Sequence, residues 1–246
     1  MFKRLCGHFF TPVSPLRCRI VAGRRANGGF TLLEIMIAIF IFAVVITTIF
    51  TSYSTVSSGN KIIDQKTASY EMATNCLNRM IMDLKSIHLT LPPKYSPPAL
   101  GESPELYRIV GEMTNIRGAD FPRLRFTSLS HISFGEKKES GIAEIVYYVQ
   151  AAKDGNYVLK RADNLYPYGE FKEKPGDPVL CRGVKSLTFK YYDDDGTDYD
   201  RWDSDSEDFG YATPKAIDIR LELAEGSGSL AFETMVDLPL FREKKK

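Results

Sequence analysis

The sequence predicts an α+β protein in which one long N-terminal helix packs on an antiparallel β-sheet. Three observations support this fold class. Residues 30–50 form an almost uninterrupted apolar run, residues 51–88 place apolar side chains at helical spacing, and several segments between residues 107 and 238 have the pattern of strands. A helix followed by a group of strands is the order typical of α+β proteins.

Charge divides the chain into two parts. The first 29 residues carry six basic side chains and no acidic one, whereas the remaining residues carry five more acidic than basic side chains. A mildly acidic body argues against nucleic acid as the main ligand. The four cysteines include no CxxC pair, so neither a zinc ribbon nor a thioredoxin-type redox site is indicated.

The apolar run at residues 30–50 is long enough to cross a membrane. As a helix, its 21 residues would span about 30 Å, the thickness of a bilayer core. The basic residues before it and the acidic body after it predict a cytoplasmic N-terminus and a body on the opposite side. A secretory signal peptide is the alternative, but no A-x-A-like site follows the run, and its small residues, Gly28 and Gly29, precede it.

One acidic residue, Glu34, lies near the start of this run. An unpaired ionised carboxylate inside a membrane costs several kcal/mol, so such residues are usually functional. An ordinary membrane anchor explains the length of the run but leaves Glu34 unexplained.

The motif GFTLLE at residues 29–34, followed by the apolar run, resembles the prepilin motif of type IV pilins and pseudopilins. The resemblance implies that a prepilin peptidase/methyltransferase cuts between Gly29 and Phe30 on the cytoplasmic side and methylates the new N-terminus. It also implies that Glu34 pairs with the amino group of a neighbouring subunit and sets the register of stacked helices. At ~4 Å and an effective dielectric constant of ~20, such a pair gains roughly 4 kcal/mol before desolvation.

The leader at residues 1–29 is long for this family. Residues 21–29, VAGRRANGG, would make a sufficient leader, with two arginines close to the cut. We therefore expect translation to start near Val21, read as an initiator codon, in which case Cys6 and Cys18 do not exist in the cell. Ribosome footprints that begin at the first methionine would refute this start.

The rest of the chain divides into a transmembrane and filament-core helix (residues 30–50), an amphipathic second half of the same helix (51–88) and a β-rich body (89–246). Within the second half, one apolar stripe is expected to face the sheet: Ile63, Tyr70, Ala73, Leu77, Met80, Leu84 and Ile87. Residues 57–60 are a weak point where the helix is expected to bend or fray. Five prolines in residues 89–105 end the helix.

Seven segments of the body have the pattern of strands. They are residues 107–113, 124–130, 144–150, 157–161, 179–192, 216–224 and 230–238. Asp154-Gly155 is expected to supply the turn between the third and the fourth.

The strand sequences narrow the family. Residues 145–163, VLCRGVKSLTFKYYDDDG at 179–196, Trp202 and PKAIDIRLEL at 214–223 resemble the J-type minor pseudopilin of the type II secretion system. The resemblance implies a pilin-like fold, a bacterial inner-membrane location with a periplasmic body, and a place at the pseudopilus tip with the I- and K-type minor pseudopilins. It also implies contact with the inner-membrane assembly platform and a role in exporting folded periplasmic proteins. A minor pilin of a type IV pilus, serving adhesion, motility or DNA uptake, is the alternative.

The acidic stretch at residues 193–208 contains nine carboxylates. Calcium takes oxygen ligands from flexible acidic loops, but the order of residues does not match the spacing of an EF-hand. A solvated hairpin loop without a cofactor is the simpler interpretation. If calcium binds, the expected ligands are Asp193, Asp195, Asp198 and Asp200.

Cys76 is expected on the buried side of the helix, and Cys181 at the start of a strand. A periplasmic location allows a disulfide between them, and two separate buried thiols are the alternative. No catalytic residue is expected, because no histidine has a second ligand at metal spacing and GSGS at residues 226–229 lacks the G-x-S-x-G spacing. The C-terminal REKKK is expected to be a solubilising end.

Overall fold

The computed structural model describes residues 29–99, 101–133, 140–153, 155–226 and 228–244. The expected leader, the start near Val21 and the two leader cysteines lie outside these residues, as does Asp154 of the expected turn. Gly155 is described, and it has the positive φ of 85° that a tight turn between two strands requires.

Helix α1 extends over Leu32–Lys85, close to the predicted residues 31–88. Helical structure continues through residues 57–60, the predicted weak point. The part of the chain up to Ser57 and the part from Ser58 form two separate compact units. In the first unit, Leu32–Ser54 has a mean hydropathy of 2.7 and is long enough, at 23 residues, to cross a membrane.

Within the described residues, the body has ten strands: β1 Val110–Ile116, β2 Ala119–Ser128, β3 Ala143–Ala151, β4 Tyr157–Leu165, β5 Val179–Arg182, β6 Val184–Tyr192, β7 Asp198–Tyr199, β8 Trp202–Asp203, β9 Ala216–Glu225 and β10 Gly228–Asp237. They make a six-stranded sheet in the order β5-β4-β3-β2-β1-β8 and a four-stranded sheet in the order β10-β9-β6-β7. Each strand pairs antiparallel with its neighbours. The predicted α+β class, a helix followed by antiparallel strands, is confirmed.

The predicted long strand at residues 179–192 is wrong, because it is two strands that belong to different sheets. Strand β5 pairs with β4, and β6 pairs with β9. Gly183 separates them with a φ of 69°, a left-handed conformation that glycine adopts readily. This one residue redirects the chain from the first sheet to the second.

Two short strands, β7 and β8, were not predicted. Both lie in the acidic stretch, whose carboxylates disfavour strand structure by propensity. Strand β7 extends the second sheet beside β6, and β8 extends the first sheet beside β1. The acidic stretch therefore connects an edge of one sheet to an edge of the other.

One hydrophobic core joins the second half of α1 to both sheets. Ala73, Leu77, Met80, Leu84 and Ile87 are buried as the helical stripe predicts. The prediction that Tyr70 faces the sheet as part of this stripe is wrong. Its side chain is 61% exposed, and its ring lies 5.5 Å from that of Phe232.

Candidate functional site

The chain is non-helical and exposed just before α1. Gly29 and Phe30 precede the helix, and both are exposed. A Cβ atom built on Gly29 meets no atom within 4 Å, so the fold would accept alanine there. The need for glycine at this position is therefore not one of packing within the chain.

Thr31 caps the first turn of α1. Its Oγ1 accepts a hydrogen bond from the Glu34 backbone N–H at 3.2 Å. Thr31-x-x-Glu34 has the spacing of a capping box, and an acidic residue in the first turn is also favoured by the helix dipole. The Glu34 side chain is exposed, and its carboxylate makes no hydrogen bond or ion pair within the described residues. It is thus free to bind a group on another molecule.

The side chains of the apolar part of α1 are exposed. Every residue from Gly29 to Ser54 is exposed, including Phe30 at 78% and Phe50 at 71%. An apolar surface of this extent requires lipid or neighbouring helices around it. The N-terminal segment is therefore suited to contact lipid or the helices of other subunits.

A buried ionic cluster, which the sequence analysis missed, holds α1 on the first sheet. Asp83 is fully buried in α1, and its carboxylate accepts hydrogen bonds from Arg161 of β4 at 2.6 Å and from the Tyr147 hydroxyl of β3. Arg79, one turn earlier, contacts the other Asp83 oxygen at 2.6 Å. Burial and the Asp83 charge raise the pKa of Tyr147, so its hydroxyl stays a donor.

The cluster continues toward the surface through Asp163. Its carboxylate accepts from Arg161 at 2.5 Å, from the Ile132 backbone N–H at 2.9 Å, and it contacts His131 Nδ1 at 2.6 Å. Burial by itself would raise the pKa of Asp163, but these three contacts outweigh it and lower that pKa. The sequence contains one indication of this cluster. Asp83 lies three residues after Met80, on the face of α1 that carries the apolar stripe, where a carboxylate would be buried.

Arg242 does not belong to a solubilising end, which corrects that part of the sequence prediction, while Lys245 and Lys246 lie outside the described residues. We call residues 239–244 the C-terminal strap. Arg242 is only 3% exposed, and its guanidinium donates to the carbonyl oxygens of Tyr211 at 2.6 Å, Thr90 at 3.1 Å and Ser204 at 2.5 Å. Its Cζ atom also lies over the Tyr95 ring, 3.3 Å from the ring centre. The strap thereby joins the proline-rich segment to the acidic stretch.

We expect Arg242→Ala to lower the free energy of unfolding by about 2 to 3 kcal/mol, because three carbonyls lose a charged donor. Lys244→Ala is the matched control. Lys244 pairs with Asp193 at 2.7 Å from a more exposed position, and Asp193 keeps its hydrogen bonds from the Thr197 N–H and the Tyr199 hydroxyl, so the loss of Lys244 should cost less than that of Arg242. Urea unfolding of the detergent-purified chain measures both. Equal losses in the two variants would contradict the bracing role of Arg242.

The structure brings two of the four expected calcium ligands together, Asp193 and Asp195, and leaves Asp198 and Asp200 outside that group. Asp193 is buried and accepts from Lys244 and from the Thr197 backbone N–H at 2.8 Å, while Asp198 pairs with Lys190. Among the described residues, the acidic side chains that converge are Asp193, Asp194 and Asp195, whose oxygens lie within 4.8 Å of one another. Calcium at this loop stays a prediction, which calorimetry without heat at millimolar calcium would refute.

Cys76 of α1 and Cys181 of β5 are both buried free thiols. Their interaction with each other, together with burial, raises the pKa of Cys76, and the same interaction lowers the pKa of Cys181. The two thiols are therefore neighbours in the core. The disulfide itself stays a prediction.

In an oxidising compartment we expect these thiols to form a disulfide, with two protons and two electrons passing to the disulfide of an exchange partner, which is reduced to two thiols. Protein isolated without reductant should then gain the mass of two hydrogen atoms on reduction. Closing a loop of about a hundred residues should also stabilise the fold by about 4 kcal/mol. Cys181→Ala is the control that gains no mass. An unchanged mass in the unmodified protein would contradict the bond.

Two family models match the chain. A model of the prokaryotic N-terminal methylation motif matches residues 24–50, and a model of type II secretion system protein J matches residues 51–229. Among curated proteins, none matches the chain.

The second match covers more than half of the chain, and the two matches together run from the N-terminal segment to β10. They favour the secretion role over a minor pilin of a type IV pilus. The matched family is structural and is not known as an enzyme family. Membership implies a single-pass inner-membrane protein that interacts with other pseudopilins and with the prepilin peptidase. The chain belongs to the type II secretion system protein J family and is a minor pseudopilin of that system.

Proposed function

We propose that this minor pseudopilin acts at the tip of the pseudopilus, in complex with the I- and K-type minor pseudopilins and with the inner-membrane assembly platform. In that place it serves the export of folded periplasmic proteins across the outer membrane. The single observation that supports the proposal is the protein J match over residues 51–229. This segment includes most of the body, which is the part of the protein available for contacts in a tip complex.

The proposed orientation is an N-terminus in the cytoplasm and a body in the periplasm. The charge distribution supports it, because six basic residues precede the span and the body after it is acidic. No cofactor is part of the proposed role, which is mechanical.

The proposed processing site is the bond between Gly29 and Phe30, followed by N-methylation of Phe30. An exposed, non-helical segment supports this, because a peptidase needs an extended backbone that it can reach. The empty space around Gly29 also supports it, since the fold does not require glycine at this position. A peptidase active site too narrow for a side chain at this position would be a sufficient reason for glycine to occupy it.

We expect Gly29→Ala to block processing about tenfold or more while leaving the fold intact. A methyl group fits the space beside Gly29, so the thermal unfolding midpoint should not change. The ratio of uncut to cut protein, measured by intact mass, gives the result. Gly28→Ala is the matched control and should be processed normally. Normal cutting of Gly29→Ala would place the processing site elsewhere.

Deleting the gene tests the function. We expect exported enzymes to accumulate in the periplasm while surface pili and twitching remain intact. Normal export with missing pili would overturn the secretion role. Co-purification of the intact protein with the I- and K-type minor pseudopilins tests the tip complex. Their absence from the purified material would refute the proposed place at the tip but not the role in secretion.

A further inference from the structure

The edges of the two sheets are protected unequally. Within the described residues, three of the four edge strands are short: β5 has four residues and a bulged register against β4, and β7 and β8 have two residues each. Short strands and bulges are common devices against unwanted strand pairing. The fourth edge, β10, has ten residues that pair with β9 in an unbroken register. It contains neither lysine nor proline, the residues that often block an edge.

The direction of the backbone groups of β10 follows from one hydrogen bond. The Leu238 N–H donates to Lys215 O at 2.8 Å, and the register places these two residues opposite each other. Since backbone groups alternate in direction along an antiparallel strand, the even-numbered residues of β10 bond to β9. The odd-numbered ones direct N–H and C=O away from it: Ser229, Ala231, Glu233, Met235 and Asp237.

Within the described residues, most of these outward groups have no hydrogen-bond partner. The five residues that carry them are also exposed, including Met235 at 55%. Among the described residues, one group bonds to this edge: Lys85 Nζ donates to the Asp237 carbonyl at 2.7 Å. The rest of the edge presents a row of backbone donors and acceptors to solvent, which is the template for strand addition.

Both charged side chains of β10 are acidic: Glu233 and Asp237 lie on its exposed face. Behind them the charges are mixed, because Arg220 of β9 lies opposite Glu233, and Glu222 of β9 pairs with Lys185 of β6 at 3.2 Å. A strand added beside β10 would meet Glu233 and Asp237 first, and basic side chains on that strand would complement them.

We propose that β10 is a docking edge on which a different pseudopilin adds an extended strand with lysine or arginine at alternate positions. This inference rests on the proposed function, since it takes its partner from the pseudopilus. Backbone hydrogen bonds to the odd-numbered residues hold the added strand, and its basic side chains lie beside Glu233 and Asp237. A second copy of this chain fits less well, because pairing two β10 edges would bring the acidic side chains of both copies together.

Proline and alanine variants at the same positions test the edge. Glu233→Pro and Met235→Pro remove an outward N–H, whereas Glu233→Ala and Met235→Ala keep it. Proline is tolerated where the N–H of an edge strand faces solvent, so we expect the proline variants to fold. Recovery of the other pseudopilins with the intact protein should fall about tenfold or more in the proline variants and much less in the alanine variants.

Equal recovery in folded proline and alanine variants would overturn the proposal. The proposed function would survive that result if the gene deletion still blocks export. If a proline variant does not fold, a photo-cross-linking side chain at Ala231 gives an independent reading. A cross-link to another pseudopilin supports the edge, and a cross-link to a second copy, to an exported protein, or to no protein overturns it.

Discussion

A Glu34→Leu variant should insert into the membrane and be cleaved after Gly29, but should enter the pseudopilus about tenfold less well or worse. The Glu34 carboxylate is exposed and unbonded within the described residues, so it is available to pair with another molecule, as the proposed role in assembly requires. Pairing with a neighbour's N-terminal amine offers roughly 4 kcal/mol before desolvation, and each ~1.4 kcal/mol retained is tenfold in incorporation. The fraction of the protein in sheared pseudopili is the measurement.

Two further variants separate charge from other roles of Glu34. Glu34→Gln keeps the size of the side chain and removes its charge, so it should fail as Glu34→Leu does. Met36→Leu changes an apolar neighbour and should assemble normally. If Glu34 only stabilised the first turn of α1, its loss would cost less than about 1 kcal/mol and incorporation would be unchanged. Unchanged incorporation of Glu34→Leu would therefore refute the role in register.

Asp83→Ala should lower the free energy of unfolding by roughly 3 to 5 kcal/mol, the largest stability loss that we expect in the body. The substitution leaves Arg161, whose side chain is 2% exposed, without its partner on the helix. Asp163 still contacts Arg161 at 2.5 Å and offsets part of the loss. Urea unfolding of the detergent-purified chain measures the effect.

A double substitution tests the reason for this loss. Asp83→Leu combined with Arg161→Met removes both charges and fills similar volume, so we expect it to be more stable than Asp83→Ala alone. Arg79→Ala is a milder control, because the Arg79 side chain is 18% exposed and Arg161 still satisfies Asp83. A loss below about 1 kcal/mol in Asp83→Ala would contradict the view that the cluster anchors α1 to the first sheet.

The sequence was most informative about features that depend only on residues close together in the chain. A span of apolar residues, a lone carboxylate in it and a preceding glycine all lie within residues 28–50, so their meaning can be inferred without tertiary contacts. Helix α1 was predicted within a few residues for the same reason, since its apolar stripe repeats at helical spacing. Tyr70 shows the limit of that pattern, because spacing alone does not show where the sheet ends.

The buried polar residues of the body could not be predicted in this way. Asp83 and Arg161 are 78 residues apart in the chain, and Arg242 binds Thr90 across 152 residues. A charged side chain is usually exposed, so neither pair was expected to be buried. Gly183 likewise has an ordinary sequence context, and only the two sheets show that it redirects the chain.

The sequence by itself determined the class of this protein, the position of its membrane helix, and the expected processing and assembly residues Gly29, Phe30 and Glu34. These properties depend on how a short segment interacts with lipid, a peptidase or a neighbouring helix, and such a segment carries the same chemistry in any fold. The tertiary structure alone decided the division of the strands between two sheets, the buried cluster at Asp83, the bracing by Arg242 and the open edge of β10. Each of these features depends on contacts between residues that are distant in the chain. Long-range packing, rather than the local sequence pattern, determines those contacts.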